Sequence, residues 1–349
     1  MININFKSLT QMLFALFIGT CGAILFIFLN LPLPWLLGAI FASSIAMRFD
    51  NLPIQSPKTF SPPARIFIGL TIGSAFTPEI LQYLDVYFFS LLLVIPFTIL
   101  TIVCGTYYYY KFLKYDIKTS YLGSMPGGVI EMVIIGEEIK ANIAKITLMQ
   151  SSRLFFVVVT IPFVIQYIFN IDISGNKLIT IPIKNIDLFE LTILIILGYI
   201  GAIVAKKIKL TAAYLMGPML ISIAVHSTGV IHTPVPDEFL KFIQVVFGTI
   251  IGFTFKGVSL ETIAKTFVST FGHFAILVLL CAIFVSITYW LFDFPILSIL
   301  LAYGPGGQSE INLIAILVGA NLPYITLHHI VRLFIVMNLA PIIAKKFKD

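Results

Sequence analysis

Apolar runs long enough to cross a hydrocarbon core of about 30 Å recur along this chain from residue 10 to residue 344, and they leave no interval for a soluble domain of useful size. Hydrophobic residues make up 59% of the sequence and charged ones 11%, against about 25% charged in soluble globular domains. The chain is therefore read as an all-α polytopic membrane protein. Its first run, residues 10–29, is placed like a signal peptide. It lacks a small-x-small cleavage site and has a mid-chain counterpart at 187–205, so it reads as a retained span. The net charge of +6 rests on basic residues scattered over short loops beside spans, a topology signal rather than a nucleic-acid footprint. Cys21, Cys104 and Cys281 occur singly inside apolar runs without paired spacing, and they read as small buried hydrophobes rather than disulfide or metal ligands.

Shifted by 179 residues against itself, the sequence superposes its least interchangeable residues without a gap. Gly19, Gly22 and Gly38 meet Gly198, Gly201 and Gly217, and Gly69 and Gly73 meet Gly248 and Gly252. Pro126-Gly127-Gly128-x-x-Glu131 falls on Pro305-Gly306-Gly307-x-x-Glu310, and Arg153-Leu154-Phe155 falls on Arg332-Leu333-Phe334. Leucines and isoleucines align by chance in a sequence this apolar, whereas glycines, prolines and intramembrane charges do not. The chain is a tandem duplication: repeat 1 at 1–170, an extracytoplasmic linker at 171–186 and repeat 2 at 187–349.

Spans are expected near 10–29, 33–48, 62–83, 86–110 and 142–169, and again near 187–205, 211–228, 240–256, 267–291 and 322–344. Between the fourth and fifth span of each repeat, at about 119–139 and 296–320, a segment begins apolar, breaks at Pro-Gly-Gly and resumes as a short helix. Proline lacks an N–H and glycine leaves helical dihedrals cheaply. Irregular backbone at membrane depth persists only where protein or water satisfies its polar groups. If both segments are re-entrant and the N-terminus is cytoplasmic, only Lys177, Lys184 and Lys241 of the loop basic residues fall outside. Full crossings would instead put Lys140, Lys145, Lys206, Lys207, Lys209, Lys256 and Lys265 outside. Cytoplasmic loops are enriched in Lys and Arg, so the expectation is ten spans with both termini cytoplasmic. Five spans per repeat make the two repeats inverted.

Glu131 and Glu310 stand in the first turn of the resumed helices, where free N–H groups and the positive dipole end stabilise a carboxylate or a bound anion. The simpler reading is that each caps its own broken helix or neutralises Arg153 or Arg332. Those arginines lie too deep in the fifth spans to snorkel, and need a partner or a substrate anion. Polar residues gather around the same segments, among them Ser124, Asn142, Thr147, Gln150, Ser151, Ser152, Gln308, Ser309, Asn312, Asn321, Thr326, His328 and His329. They suggest a wet cavity or a set of interhelical hydrogen bonds. The candidate substrate- and ion-binding set is Gly127, Gly128, Glu131, Gly306, Gly307, Gln308, Ser309, Glu310 and Asn312, with Arg153 and Arg332 as charge partners. Val129 and Ile130 stand where repeat 2 has Gln308 and Ser309, which makes the first copy less polar. No nucleotide-binding, zinc-protease, serine-hydrolase or paired-cysteine motif occurs, so no catalytic residue, metal or cofactor is assigned.

Leu33-Pro34-Trp35-Leu36-Leu37-Gly38, its partner Tyr214-Leu215-Met216-Gly217-Pro218, and Tyr303-Gly304-Pro305-Gly306-Gly307-Gln308-Ser309-Glu310 resemble the bacterial AbrB membrane-protein family over nearly the whole chain. Members of that family carry labels such as ammonia monooxygenase and regulator of gene expression, and neither label arises from these residues. By analogy the architecture also resembles secondary transporters with five-span inverted repeats and glycine-rich re-entrant hairpins, such as the glutamate and citrate carriers of bacteria. There, substrate and coupling ion bind where hairpin tips meet.

The function expected is a secondary transporter of a small anionic solute working by alternating access in the bacterial cytoplasmic membrane, and not an enzyme. The rival expectation is a membrane-embedded regulator of gene expression, with the monooxygenase of the family label a remote third. Expected partners are the lipid bilayer, the solute, H⁺ or Na⁺ as coupling ion, and a second copy of the chain as a homodimer. Nucleic acid is not expected.

Overall fold

A computed structural model describes residues 6–49, 51–76, 84–173, 182–210 and 212–347. The end of the third expected span, half of the linker, and Lys177 and Lys348 fall outside these. Among the described residues the ordered structure is entirely helical. The first copy holds α1 (Phe6–Phe28), α2 (Pro34–Ala46), α3 (Ser61–Ser74), α4 (Leu84–Tyr107), α5 (Ile117–Ser124), α6 (Val129–Glu138) and α7 (Ile143–Tyr167). The second holds α8 (Leu188–Lys207), α9 (Ala213–Ser227), α10 (Asp237–Gly252), α11 (Leu260–Phe292), α12 (Ile296–Tyr303), α13 (Gln308–Leu317) and α14 (Leu322–Ala344). The short helices α5 and α6 map onto α12 and α13 residue for residue at the 179 shift.

Backbone strain repeats with the same period. Residues at positive φ pair as Asn30 with Lys209, Leu33 with Ala212, Lys114 with Asp293, and Lys140 with Gly319. L-residues enter the left-handed region at a cost of roughly 1 kcal/mol each. Its recurrence with different side chains means that the connection geometry, not the residue type, demands it.

Among the described residues seven helices are long and apolar enough to span a bilayer, those beginning at Phe6, Tyr87, Ile143, Leu188, Asp237, Leu260 and Leu322. They correspond to seven of the ten expected crossings. The other three, α2, α3 and α9, are shorter at 13, 14 and 15 residues. The protein is thus an all-α polytopic membrane protein.

The chain folds into two compact units, each drawing on both sequence repeats. The first contains α1–α3 and α8–α10, with the end of α7 and residues 312–323. Small residues set its packing. A Cβ on Gly22 or Gly38 would meet the other's backbone, which locks α1 onto α2, and Gly201 and Gly217 do the same for α8 and α9. A Cβ on Gly69 of α3 would strike the Leu215 carbonyl of α9, and one on Gly248 of α10 would strike the Leu36 carbonyl of α2. The third helix of each copy therefore packs on the second helix of the other. Such close approach is how helices associate in lipid, where apolar side chains gain little by leaving the solvent. Cys21, expected as a buried hydrophobe, is exposed on α1, whereas Cys281 is buried in α11. The lipid-like surroundings expected of a membrane span let a small apolar side chain face outward.

The second unit contains α4, the hairpin α5–α6, most of α7, α11, the hairpin α12–α13 as far as residue 311, and α14 from Tyr324 onward. At 8 and 10 residues α5 and α6 are only about 12 and 15 Å long, so neither crosses a bilayer alone. The base of their hairpin is closed. Asn142 donates its N–H to Thr119 Oγ1 at 3.0 Å, and Lys145 Nζ lies 4.3 Å from the Tyr115 ring centroid. At the equivalent place in the second copy, the Phe294 and Tyr324 rings meet at 5.0 Å. Each broken segment thus returns to the neighbourhood from which it set out. Tyr121, Leu122, Met125 and Met132 of the first hairpin share a core with Val336, Ala340 and Ala344 of α14.

Candidate functional site

Where α5 ends at Pro-Gly-Gly, its last carbonyls lose their helical donors, and buried acceptors must find others. Three residues apart on α7, Gln150 and Arg153 supply them. Gln150 Nε2 donates to Leu122 O at 2.8 Å and Met125 O at 2.9 Å. Arg153 donates through one terminal nitrogen to Met125 O at 2.6 Å and through the other to Gly127 O at 3.4 Å. The second copy repeats the arrangement. His329 Nε2 meets Leu301 O at 3.0 Å, and Arg332 donates to Gly304 O at 2.7 Å and Gly306 O at 3.3 Å. A carbonyl only accepts and a guanidinium only donates. His329 therefore carries its proton on Nε2 and receives Arg332 on Nδ1, 3.2 Å away.

The expected partnership of arginine with glutamate is not the contact either guanidinium makes. Carboxylates form ion pairs elsewhere, Asp237 with Lys241 and Glu261 with Lys265, both on helix surfaces. The physical reason is local: the break exposes carbonyls along the hairpin's first arm, and the arginines reach those. Arg153 and Arg332 are buried, at 2% and 4% exposure. Arg153 keeps its Nε–H without a hydrogen-bond partner.

The carboxylates turn the other way. Glu131 and Glu310 fold back over the first turn of α6 and α13, so that each occupies the place a Cβ on Gly128 or Gly307 would take. Both carboxylates thus lie beside the N-terminal turn of the helix that carries them. Glu310 is buried and Glu131 half-buried. Ser309 is buried, Gln308 half-buried and Asn312 fully buried, with Asn312 belonging to the first compact unit. Gly127 and Gly306 admit the neighbouring copy's fifth span: a Cβ there would press on Val336 of α14 and on Val157 of α7 respectively. Each hairpin tip therefore sits between the arginine of its own repeat and a valine of the other repeat.

Beyond this shared frame the copies differ, and the differences lie on residues sequence reading passed over. Beside the first hairpin, Tyr109 Oη meets His273 Nδ1 at 3.2 Å, and Ser124 Oγ meets Thr106 Oγ1 at 2.9 Å. Beside the second, Ser90 Oγ meets Tyr324 Oη at 2.6 Å and His328 Nε2 at 2.9 Å, and Thr288 donates to Tyr303 Oη at 3.1 Å. His273 falls on Val94 at the 179 shift, so the comparison of the copies did not bring it out, and Ser90, which falls on Ser269, is an ordinary residue inside an apolar run. The polar residues expected to line a cavity act largely as interhelical hydrogen bonds: Gln150, Ser124, His328 and His329 all do. Among the described residues no three His, Cys, Asp or Glu side chains group as metal ligands.

A helical membrane protein with duplicated, arginine-braced broken hairpins is the class that fold and site define. The family model for AbrB, described as transition state regulatory protein AbrB, matches residues 35–348, and the chain belongs to that family. It is 26% identical over 361 residues to "Uncharacterized protein YhjN" of Bacillus subtilis (strain 168), covering 96% of this chain and 92% of that protein. It is also 26% identical over 324 residues to "Putative regulator AbrB" of Escherichia coli (strain K12), covering 92% of this chain and 91% of that one.

Proposed function

We propose that the protein is a secondary transporter for a small anionic solute, moved by alternating access with H⁺ or Na⁺ as the coupling ion across the bacterial cytoplasmic membrane. The carrying observation is the pair of buried arginines, one from each repeat, that brace hairpin tips with backbone carbonyls and are not neutralised by a carboxylate at salt-bridge distance. Burying a guanidinium is costly, and such groups at membrane depth mark substrate paths. A carbonyl satisfies hydrogen bonds without cancelling charge, so each arginine retains attraction for an anion, and Arg153 retains a donor. Two helix N-termini, at α6 and α13, add positive dipole ends at the same breaks. Binding residues in this reading are Gly127, Gly128, Glu131, Gly306, Gly307, Gln308, Ser309 and Glu310 with Arg153 and Arg332. Purified protein in proteoliposomes, assayed with labelled phosphate and small mono-, di- and tricarboxylates under imposed H⁺ and Na⁺ gradients, tests it. Gradient-driven accumulation of at least one anion is expected, and its loss in Arg153→Gln. No accumulation across the panel would remove the proposal.

A second reading, regulation of gene expression from the membrane, is favoured by the regulator names of the family and of the Escherichia coli relative. Transcript changes on deletion that a flux-dead variant still reverses would favour it over transport. An oxygenase, the remote third reading, would bring a bound metal into elemental analysis of the purified protein.

A further inference from the structure

The two repeats provide a control inside one molecule. At the 179 shift His328 corresponds to Met149, Tyr324 to Lys145, and Ser90 to Ser269. Met149 and His328 are buried alike, at 2% and 1% exposure, on fifth spans that brace their hairpins through equivalent atoms. The frame is thus completed in repeat 1 by a thioether, and it does not need an imidazole at this point. Burying polar groups costs free energy unless each is paired. Beside the second hairpin, the imidazole of His328 and the phenol of Tyr324 are nonetheless buried together with the hydroxyl of Ser90 from α4 of the first copy, in an unbroken hydrogen-bonded chain.

The chain has a direction. His328 Nδ1 lies 2.8 Å from the Tyr324 carbonyl, which only accepts, so Nδ1 donates. In the neutral ring Nε2 then accepts from Ser90 Oγ, which in turn accepts from Tyr324 Oη. Ser90 is held in place by its own carbonyl, which receives Tyr303 Oη at 3.4 Å. Tyr324 is the third residue of α14 and His328 lies one turn further along it, and the two side chains converge on Ser90 Oγ.

We propose that His328 is a proton-binding site of the second repeat, loaded through Tyr324 and Ser90, and that it supplies the coupling ion for transport; the coupling part rests on the transport reading. A proton arriving at Tyr324 Oη releases that group's own proton to Ser90 Oγ, and Ser90 passes its hydroxyl proton to His328 Nε2. Every link then reverses: His328 Nε2–H donates to Ser90, and Ser90 donates to Tyr324. No atom moves beyond hydroxyl rotation, and one proton enters for each proton bound.

The titratable and charged groups around His328 are Tyr324, His329 and Arg332 on its own helix, Tyr303 from α12, whose ring is 5.8 Å away, and Tyr87 from α4 behind Tyr324. Arg332 is the charged one, one helical turn beyond His328 on α14. Two positive charges at that separation repel. An anion beside Arg332 would offset the repulsion, so proton and anion each favour the other's binding, and linkage makes the effect reciprocal. The expected coupling is therefore symport.

Two measurements test this on the full-length protein. In nanodiscs, with ¹⁵N-labelled histidine and His328→Met to assign the resonance, His328 is expected to show a neutral Nδ1–H ring that converts to imidazolium on acidification, with a midpoint displaced by Ser90→Ala. His329 is expected to keep its Nε2–H form. A His328 ring that stays neutral down to the pH at which the protein unfolds, or a midpoint indifferent to Ser90→Ala, would overturn the site. In proteoliposomes containing a pH-sensitive dye, addition of a transported anion from the panel above should acidify the lumen, and His328→Met should lower protons moved per anion at least tenfold. An unchanged ratio would overturn the coupling role. If no anion in the panel moves in the wild type, the transport reading fails and the resonance titration alone decides the proton site.

Discussion

At the scale of residues, the arginines and glutamates of the duplicated motif have separate tasks. Arg332 satisfies two buried carbonyls, so Arg332→Gln is expected to destabilise the protein by about 3 kcal/mol, the cost of stranding charge-assisted acceptors, read as a lower Tm in detergent. Because Glu310 is not its partner, adding Glu310→Gln should fail to restore Tm; a restored value would reinstate the ion pair. The Glu310 carboxylate fills the space left open by Gly307. Glu310→Gln keeps the shape and one oxygen there and should change stability by less than about 1 kcal/mol while abolishing anion accumulation. Gly307→Ala should displace the carboxylate, the more flexible of the two groups, and so injure transport more than folding. The arginines and glutamates were legible in the sequence because charges inside apolar runs are rare. Their partners were not, because a backbone carbonyl carries no sequence signature.

Single helices are placed by glycine, and the cost of a substitution depends on what the missing Cβ would meet. At Gly38 it would meet the backbone of α1 around Gly22, which cannot yield without separating α1 from α2. Gly38→Leu should therefore cost about 3 kcal/mol or more and reduce folded yield, as judged by size-exclusion chromatography of a fluorescent fusion. At Gly257, where φ is +79° and a Cβ would meet nothing, alanine should cost only the left-handed backbone term, about 1 kcal/mol. Equal effects at the two positions would refute the packing argument. The breaks at Pro126 and Pro305 were readable in advance, since proline and paired glycines end helices by covalent geometry. The ridge that each glycine admits was not readable. Gly69 and Gly248 carry the same small-xxx-small spacing as any close-packed pair, and nothing in that spacing names α9 or α2 as the neighbour.

For the molecule as a whole, the duplication and the distribution of basic residues predict an orientation that labelling can test. With inverted repeats, the two hairpins open to opposite sides of the membrane. Single cysteines placed at Lys140 and Asn321 in a background lacking Cys21, Cys104 and Cys281 should label with impermeant thiol reagents from the cytoplasmic and the outer side respectively. Labelling of both from one side would defeat the inverted arrangement.

Helical class, duplication and hairpin positions could all be read from the chain, because hydropathy, proline and glycine act over a few residues and mean the same in any context. Which helices share a unit could not. The sequence divides at residues 171–186, yet α1–α3 pack with α8–α10, and the hairpins gather with α4, α7, α11 and α14. That exchange is set by complementary backbone surfaces far apart in the chain. The same limit governs the site. Arg153 and Arg332 announced themselves as charges out of place, whereas Ser90, ordinary in sequence, became a link between Tyr324 and His328 only when folding brought α4 against α14.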